Sequence, residues 1–222
     1  MKKILVALFL LTQLPLFAQE AMQINMTQDN FVLKTNPFVL IAGPLFPFSS
    51  QYGMTGEFVH GVNQSSQISA AYLGKGILLD ALLSAPGVAI NIDEWVFQGY
   101  RVQISHRFYL FRDVGKGKLA PNGLYVGPHT SLASMKVSDP FFNQFQTYIR
   151  GTEFNANLLI GLQYNLYGWY FDANIGLGYK NNFWQETQGS QTVSIPLSDL
   201  GYGNYYRSNF KVHVGFETGF SF

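Results

Sequence analysis

Cysteine is absent from the 222-residue chain, and charged residues are scarce. Without cysteine there can be no disulfide framework, no thiolate chemistry and no lipoprotein anchor. Lys, Arg, Asp and Glu make up only 12% of the residues, about half the share in an average soluble domain. The 14 basic and 13 acidic residues nearly balance, so no basic stripe argues for binding nucleic acid.

Long apolar runs are also lacking, apart from one near the N-terminus. Lys2 and Lys3 precede the apolar run 4–11, and a short segment ending at Ala18 follows it, as in a secretory signal peptide. The run is shorter than the roughly 20 residues that a spanning helix needs. We therefore expect a signal peptide over 1–18 and one mature domain over 19–222, which retains 12 basic and 13 acidic residues.

Aromatic residues are abundant, at 16% of the chain, and they recur in alternation with polar or small residues. In 210–222 every even position is apolar or Thr and every odd position is small or polar, ending at Phe222. Successive strand residues point to opposite faces, so this pattern predicts a strand with one apolar and one polar face. A terminal aromatic on such a strand resembles the signal that the outer-membrane assembly machinery recognises.

Eight segments show this alternation: 31–42, 51–60, 67–74, 95–112, 123–137, 147–166, 169–180 and 210–222. Only helices and closed barrels satisfy their backbone hydrogen bonds in lipid. The sequence therefore predicts an all-β fold, an eight-stranded antiparallel transmembrane β-barrel with short periplasmic turns and longer extracellular loops.

The predicted connections alternate in length, and this alternation predicts which end of the barrel faces the periplasm. The turns at 61–66, 113–122 and 167–168 are the shorter set, and the loops at 43–50, 75–94, 138–146 and 181–204 are mostly longer. An even strand number places both termini in the periplasm. Aromatics expected at the headgroup level are Trp95, Phe108, Tyr164, Trp169, Tyr179, Tyr205, Tyr206, Phe220 and Phe222.

Three short stretches together with the signal peptide carry a resemblance to a known group. They read LKTNP at 33–37, YRVQ at 100–103 and GLYVGP at 123–128. In these the chain resembles small outer-membrane barrels of Bacteroidota, a largely uncharacterised family. The resemblance implies the outer membrane of a Gram-negative bacterium, contact with lipid and lipopolysaccharide, and recognition by the assembly machinery through 210–222. It implies nothing about chemistry.

Charged residues are expected on the inward faces of the strands. An eight-stranded barrel is just wide enough to be filled by its own side chains, and buried charges must pair. The inward set is nearly balanced and predicts a salt-bridged plug, with a proton or ion path as the alternative. It comprises Lys34, Glu57, Arg101, Arg107, Glu153, Asp172, Lys180, Lys211 and Glu217.

One pair of residues is a candidate for catalysis. His129 and Ser131 are two apart on a strand and share a face, as a base and a nucleophile would. The pair resembles the His-x-Ser of outer-membrane lipid A deacylases, but Leu132 stands where that family usually carries Asn. An inward polar pair is the alternative interpretation. His60, His106 and His213 show no metal-ligand spacing, and no cofactor is expected.

The predicted loop 75–94 is unusually apolar for an extracellular segment, because it contains ILLDALLS at 77–84. An exposed apolar patch is typical of an interaction surface. Alternatively, the segment extends the third strand or lies on the barrel rim.

We expect a non-catalytic barrel with a structural or surface-interaction role, in which this loop is the candidate contact for an outer-membrane protein partner. The alternatives are a lipid A-modifying enzyme and a narrow channel for a small or apolar ligand.

Overall fold

The structure is a computed structural model that describes residues 31–38, 49–76, 95–110, 120–138, 147–196 and 207–221. Nine β-strands lie within these ranges. They are β1 (Phe31–Thr35), β2 (Ser49–Gly61), β3 (Gln64–Lys75), β4 (Val96–Tyr109), β5 (Gly123–Ser138), β6 (Tyr148–Leu166), β7 (Trp169–Gln188), β8 (Gln191–Ser194) and β9 (Phe210–Ser221).

The strand pairings close on themselves. β1 to β7 pair in sequence order, β7 also pairs with β9, and β9 pairs with β1, all antiparallel. Counted over the described residues, this circuit has eight strands, and β8 is a short addition to the upper part of β7. The predicted all-β, eight-stranded antiparallel barrel is confirmed. In a closed barrel every wall strand has two neighbours, which removes exposed edges.

The faces of the strands follow the predicted alternation. On β7, Phe171, Ile175 and Leu177 are exposed on the outside, whereas Asp172 and Lys180 are buried inside. β6 behaves in the same way, with its apolar residues outward and its polar residues inward. The polar face is thus the buried one, the reverse of a soluble protein.

Two strand boundaries differ from the prediction. β1 ends at Thr35 instead of continuing to 42, because Asn36-Pro37 follows, where Pro cannot donate to the ladder and Asn36 Oδ1 accepts a hydrogen bond from the Phe38 amide. β7 continues to Gln188 and then turns into β8, so the predicted loop 181–204 begins too early.

The tight turns lie at the end of the barrel that also holds the start of β1 and the end of β9, here called the lower end. Tyr167 and Gly168 have φ values of 54° and 89°, as a two-residue type I′ hairpin requires. β3 begins at Gln64, so the turn predicted at 61–66 is shorter than expected. The described residues do not include Phe222 or most of two predicted loops, 75–94 and 138–146.

Within the described ranges no helix combines the length and apolar character needed to cross a membrane.

Candidate functional site

The barrel interior is layered, and β4 passes through every layer. From the lower end upward, its inward residues include Tyr109 and Arg107, then Ser105 and Gln103, then Arg101 and finally Phe97. Arg107 belongs to a charged plug, defined as Lys34, Glu57, Arg107, Gln163 and Asp172. Ser105, Gln103 and Arg101 line a chamber. Phe97 packs against the upper apolar cluster, defined as Leu73, Ala133, Met135 and Trp184.

Lys34 forms the centre of the plug. Its Nζ lies 2.6 Å from Glu57 Oε2, 2.7 Å from Gln163 Oε1 and 3.0 Å from Asp172 Oδ2. An ammonium group has three N–H donors, so all three can be used. The three acceptors come from β2, β6 and β7, and Lys34 therefore joins opposite parts of the wall.

Arg107 is the second cation of the plug. Its Nη1 lies 2.5 Å from Asp172 Oδ2 and 2.6 Å from Gln163 Oε1, and its guanidinium stacks 4.2 Å from the centre of the Tyr125 ring. Tyr125 donates its hydroxyl to Asp172 Oδ1 at 2.7 Å. Asp172 thus accepts hydrogen bonds on both oxygens, which offsets the large penalty for burying a carboxylate.

Glu57 is satisfied in the same way. Its Oε1 accepts the Ser65 hydroxyl at 2.5 Å and the Tyr109 hydroxyl at 2.9 Å, and its Oε2 accepts Gln163 Nε2 at 2.9 Å. The side chains of Lys34, Glu57 and Asp172 have no exposed surface. This buried ionic network fills the lower part of the barrel.

Above the plug is a chamber of about 220 Å³. Its described lining is mainly polar and includes Gln51, Thr55, Gln67, Arg101, Gln103, His129, Asn174, Lys211, His213 and Glu217. Glu217 lies on the lower side, where its Oε1 accepts the Thr55 hydroxyl at 2.9 Å and its Oε2 is 3.8 Å from Arg107. The interior is thus blocked below but hollow in the middle.

Arg101 is buried at the upper end of the chamber. It donates to Gln51 Oε1 at 3.0 Å and to Ser131 Oγ at 3.4 Å. Ser131 Oγ also accepts Asn155 Nδ2 at 3.0 Å, and Asn155 Nδ2 contacts Glu153 Oε1 at 2.8 Å. Glu153 in turn pairs with Lys211 at 3.1 Å.

The structure does not join His129 and Ser131 as a base and a nucleophile. His129 contacts Gln103 Oε1 and Asn157 Nδ2, each at 3.2 Å, and its ring lies 4.9 Å from that of His213. Ser131 is held by Arg101 and Asn155. Both residues face the interior and are at least nine-tenths buried, so they do not face the outer surface.

The remaining histidines lie elsewhere. The rings of His60 and His106 are 5.3 Å apart, and Ser66 Oγ is 2.8 Å from His106 Nδ1. In the parts of the chain that the structure describes, no three His, Cys, Asp or Glu side chains are grouped to hold a metal ion.

All nine residues of the predicted interior set face the lumen. Seven are buried, whereas Lys211 and Glu217 are partly exposed to the chamber. The ion pairs join seven of them in two groups. Lys34, Glu57, Arg107 and Asp172 lie in the plug with Glu217 at its upper side, and Lys211 pairs with Glu153 higher up. The sequence prediction did not include Gln163, Tyr109 and Tyr125. Their positions in the alternating pattern of the strands could have identified them as inward-facing.

Comparisons with known proteins return little. No family model matches the chain, and no curated protein matches it. Among solved structures, a major outer membrane protein from Thermus thermophilus is similar at 15% identity and a TM-score of 0.43, covering 86% of this chain and 98% of that one. Similarity this low does not establish a shared fold, so the barrel assignment depends on the strand pairings alone.

Proposed function

We propose that this chain is an integral outer-membrane barrel that anchors surface loops and is neither an open pore nor an enzyme. The observation that carries the proposal is the inverted distribution of polarity. The wall is apolar outside, and the interior holds a paired ionic network that no soluble β-sandwich core would contain.

The outer face is apolar on neighbouring strands. Leu158 and Leu177 are cross-strand partners and are 66% and 56% exposed, and the next pair, Ile160 and Ile175, is exposed to a similar extent. Soluble monomers rarely expose contiguous apolar patches of this extent. In a membrane, lipid acyl chains would cover these apolar side chains.

The apolar band has the height of a bilayer core. On β7 the unbroken run of outward apolar residues extends from Trp169 to Tyr179, ten residues apart, and ends at Asn181. At a rise of about 3.3 Å per residue they are about 33 Å apart along the strand. A tilt of about 40° reduces this to a height of about 25 Å, which matches the apolar band of outer-membrane barrels.

Aromatic side chains lie at both limits of the band. At the upper limit Tyr52, Tyr72 and Tyr100 are cross-strand neighbours on β2, β3 and β4, and all are exposed. At the lower limit the rings of Trp169 and Phe220 are 3.8 Å apart. Amphipathic rings favour the headgroup level, which supports this placement in the membrane.

The sequence supports the compartment. A signal peptide over 1–18, an alternating segment over 210–222 and the resemblance to Bacteroidota barrels all favour a Gram-negative outer membrane. The interior supports a closed barrel, because the charged plug fills its lower part and the upper apolar cluster packs inside its upper part. His129 and Ser131 face this interior and not the lipid.

The experiment determines where the protein is located in the cell and whether it conducts ions across a planar bilayer. The protein should fractionate with the outer membrane, migrate faster on gels unheated than heated, and give no stable conductance steps in planar bilayers. An open porin of known conductance serves as the positive control. Recovery as a soluble periplasmic protein would refute the membrane assignment, and stepwise conductance would refute the closed barrel.

The surface role can be tested on the cysteine-free background. We expect Leu79→Cys in the apolar segment 77–84 to label partially in intact cells with a membrane-impermeant thiol reagent. Ser190→Cys, in the exposed β7–β8 turn, should label fully, and Asn63→Cys, in the β2–β3 turn at the lower end, should not. Labelling at Asn63 alone would invert the topology, and full protection at Leu79 in cells without any partner would place this segment in the wall.

A further inference from the structure

The outward face of the barrel wall carries very little charge. Within the described ranges, the only Lys, Arg, Asp or Glu residues on the outward faces of the wall strands are Lys136 on β5 and Arg150 on β6. Their orientation follows from the alternation, because the adjacent Met135 lies in the upper apolar cluster inside the barrel and the adjacent Gly151 is buried. Both of these charges are positive.

The two cations are direct neighbours. Lys136 and Arg150 are cross-strand partners, which places their Cβ atoms about 4.5–5.5 Å apart. Both contact the ring of Tyr148, with Lys136 Nζ 4.3 Å and Arg150 Cζ 5.5 Å from its centre. No carboxylate oxygen of a described residue lies within 4.0 Å of either cation. Like charges directly opposite each other destabilise a sheet, and an anion bound between them would remove this repulsion.

The pair lies above the apolar band. Below it on the outward face, the nearest apolar residues are Leu132 on β5 and Phe154 on β6, each four residues away. Four residues span about 13 Å along a strand, or about 10 Å in height at a tilt of about 40°. Both cations are thus at the headgroup level, outside the hydrocarbon core, at the end that the sequence predicts to face the cell exterior.

Neutral donors extend the pair on both sides. Gln98 on β4 is the cross-strand partner of Lys136, and Gln185 on β7 is the partner of Arg150. Both glutamines are exposed, and their side-chain amides can donate hydrogen bonds. These four residues are here called the basic row. They span three strand spacings, about 14 Å, which is wide enough for a lipid headgroup.

From these observations we propose that the basic row binds the phosphate of an anionic outer-leaflet lipid, of the kind that lipid A carries. Lysine binds a phosphate as a point charge, and arginine presents a planar fork of donors that matches its oxygens. The inference rests on the proposed membrane location, because a headgroup phosphate reaches this row only if the wall below it lies in the bilayer. A bound phosphate would neutralise the only fixed charges on the described outer wall.

The test measures lipid binding by the folded barrel in detergent with native mass spectrometry, using lipid A and phosphatidylcholine as probes. The natural protein should bind lipid A about 10- to 30-fold more tightly than the double variant Lys136→Gln/Arg150→Gln, and both should bind phosphatidylcholine equally. The matched control Lys116→Gln/Lys118→Gln removes the same charge from the predicted turn 113–122. It should bind lipid A as the natural protein does.

A second variant gives effects of opposite sign in two lipids. Arg150→Glu replaces the like-charged pair with an ion pair to Lys136, so in phosphatidylcholine vesicles its urea midpoint should equal or exceed that of the natural protein. In vesicles that also contain lipid A its midpoint should be the lower of the two, because the phosphate then meets a carboxylate. The same ranking in both lipids would contradict the proposal.

Three other results would overturn it: unchanged lipid A binding in the double variant; an equal loss in the matched control, which would indicate an effect of net charge; or capture of inorganic phosphate as tightly as lipid A. Insertion into phosphatidylcholine vesicles without any preference for lipid A would refute this site alone. Failure to insert into either kind of vesicle would instead refute the proposed function.

Discussion

Placing a charge on the outer face of β7 tests the membrane assignment at a single position. Ile175 lies six residues above Trp169 and four below Tyr179, near the middle of the apolar band. It is 51% exposed, and its cross-strand neighbours Ile160 and Val214 also point outward. An arginine here would be surrounded by apolar side chains on its own face.

The expected magnitude follows from depth. Arginine at the bilayer midplane of a barrel destabilises it by about 2–4 kcal/mol, and near the interface by about 0–1 kcal/mol. Ile175→Arg should therefore lower the ratio of folded to unfolded protein by about 25- to 700-fold, whereas Tyr179→Arg on the same face should change it little. The assay is reversible urea unfolding in lipid vesicles, followed by tryptophan fluorescence.

The test depends on the difference in stability between Ile175→Arg and Tyr179→Arg. A soluble barrel would show no dependence on depth, because both side chains would face water. Equal effects of Ile175→Arg and Tyr179→Arg would refute the lipid-facing assignment. A third variant, Gln185→Arg, changes an exposed residue above the band. It should leave the free energy of unfolding unchanged, which would show that the strand tolerates arginine outside the band.

Three further changes test the interior. Asp172→Asn removes the carboxylate that pairs with Lys34 and Arg107, so it should lower the free energy of unfolding in urea by about 3–5 kcal/mol. The control Glu186→Gln, at a half-buried position above the apolar band, should change that free energy by less than about 0.5 kcal/mol. Gly161→Ala would place a Cβ 2.4 Å from the Tyr125 ring and should destabilise by about 1–3 kcal/mol, whereas Gly61→Ala, with its nearest contact at 3.5 Å, should not. His129→Ala should leave lipid A acylation unchanged in mass spectra, and altered acylation would revive the enzymatic hypothesis.

The sequence predicts the faces of the strands better than their ends. Across the proposed membrane band the outward side chain must be apolar, so Ile175 and Leu177 alternate with polar or small neighbours. Beyond Tyr179 that requirement disappears, and Asn181-Asn182 gives no apolar alternation although β7 continues to Gln188. The length of this strand therefore could not be predicted from hydropathy.

The members of the interior set could be predicted, but their pairing could not. The alternation places Lys34 inward because its neighbours Leu33 and Thr35 face the other way. That it meets Asp172, 138 positions away, depends on the stagger of the strands around the barrel. The neutral Gln163, Tyr109 and Tyr125 were not predicted because they carry no charge that would mark them.

The contacts of Lys34 also constrain the order of assembly. This residue belongs to the first wall strand, and its acceptors Gln163 and Asp172 lie on β6 and β7, which are synthesised late. Contacts of such high sequence separation form slowly, because closing so long a loop costs entropy before the contact stabilises the chain. An unclosed sheet would leave Lys34, Arg107 and Asp172 in water, with nothing gained from pairing. We therefore expect closure of the seam between β1 and β9 and burial of these charges to occur together, without a long-lived half-closed intermediate.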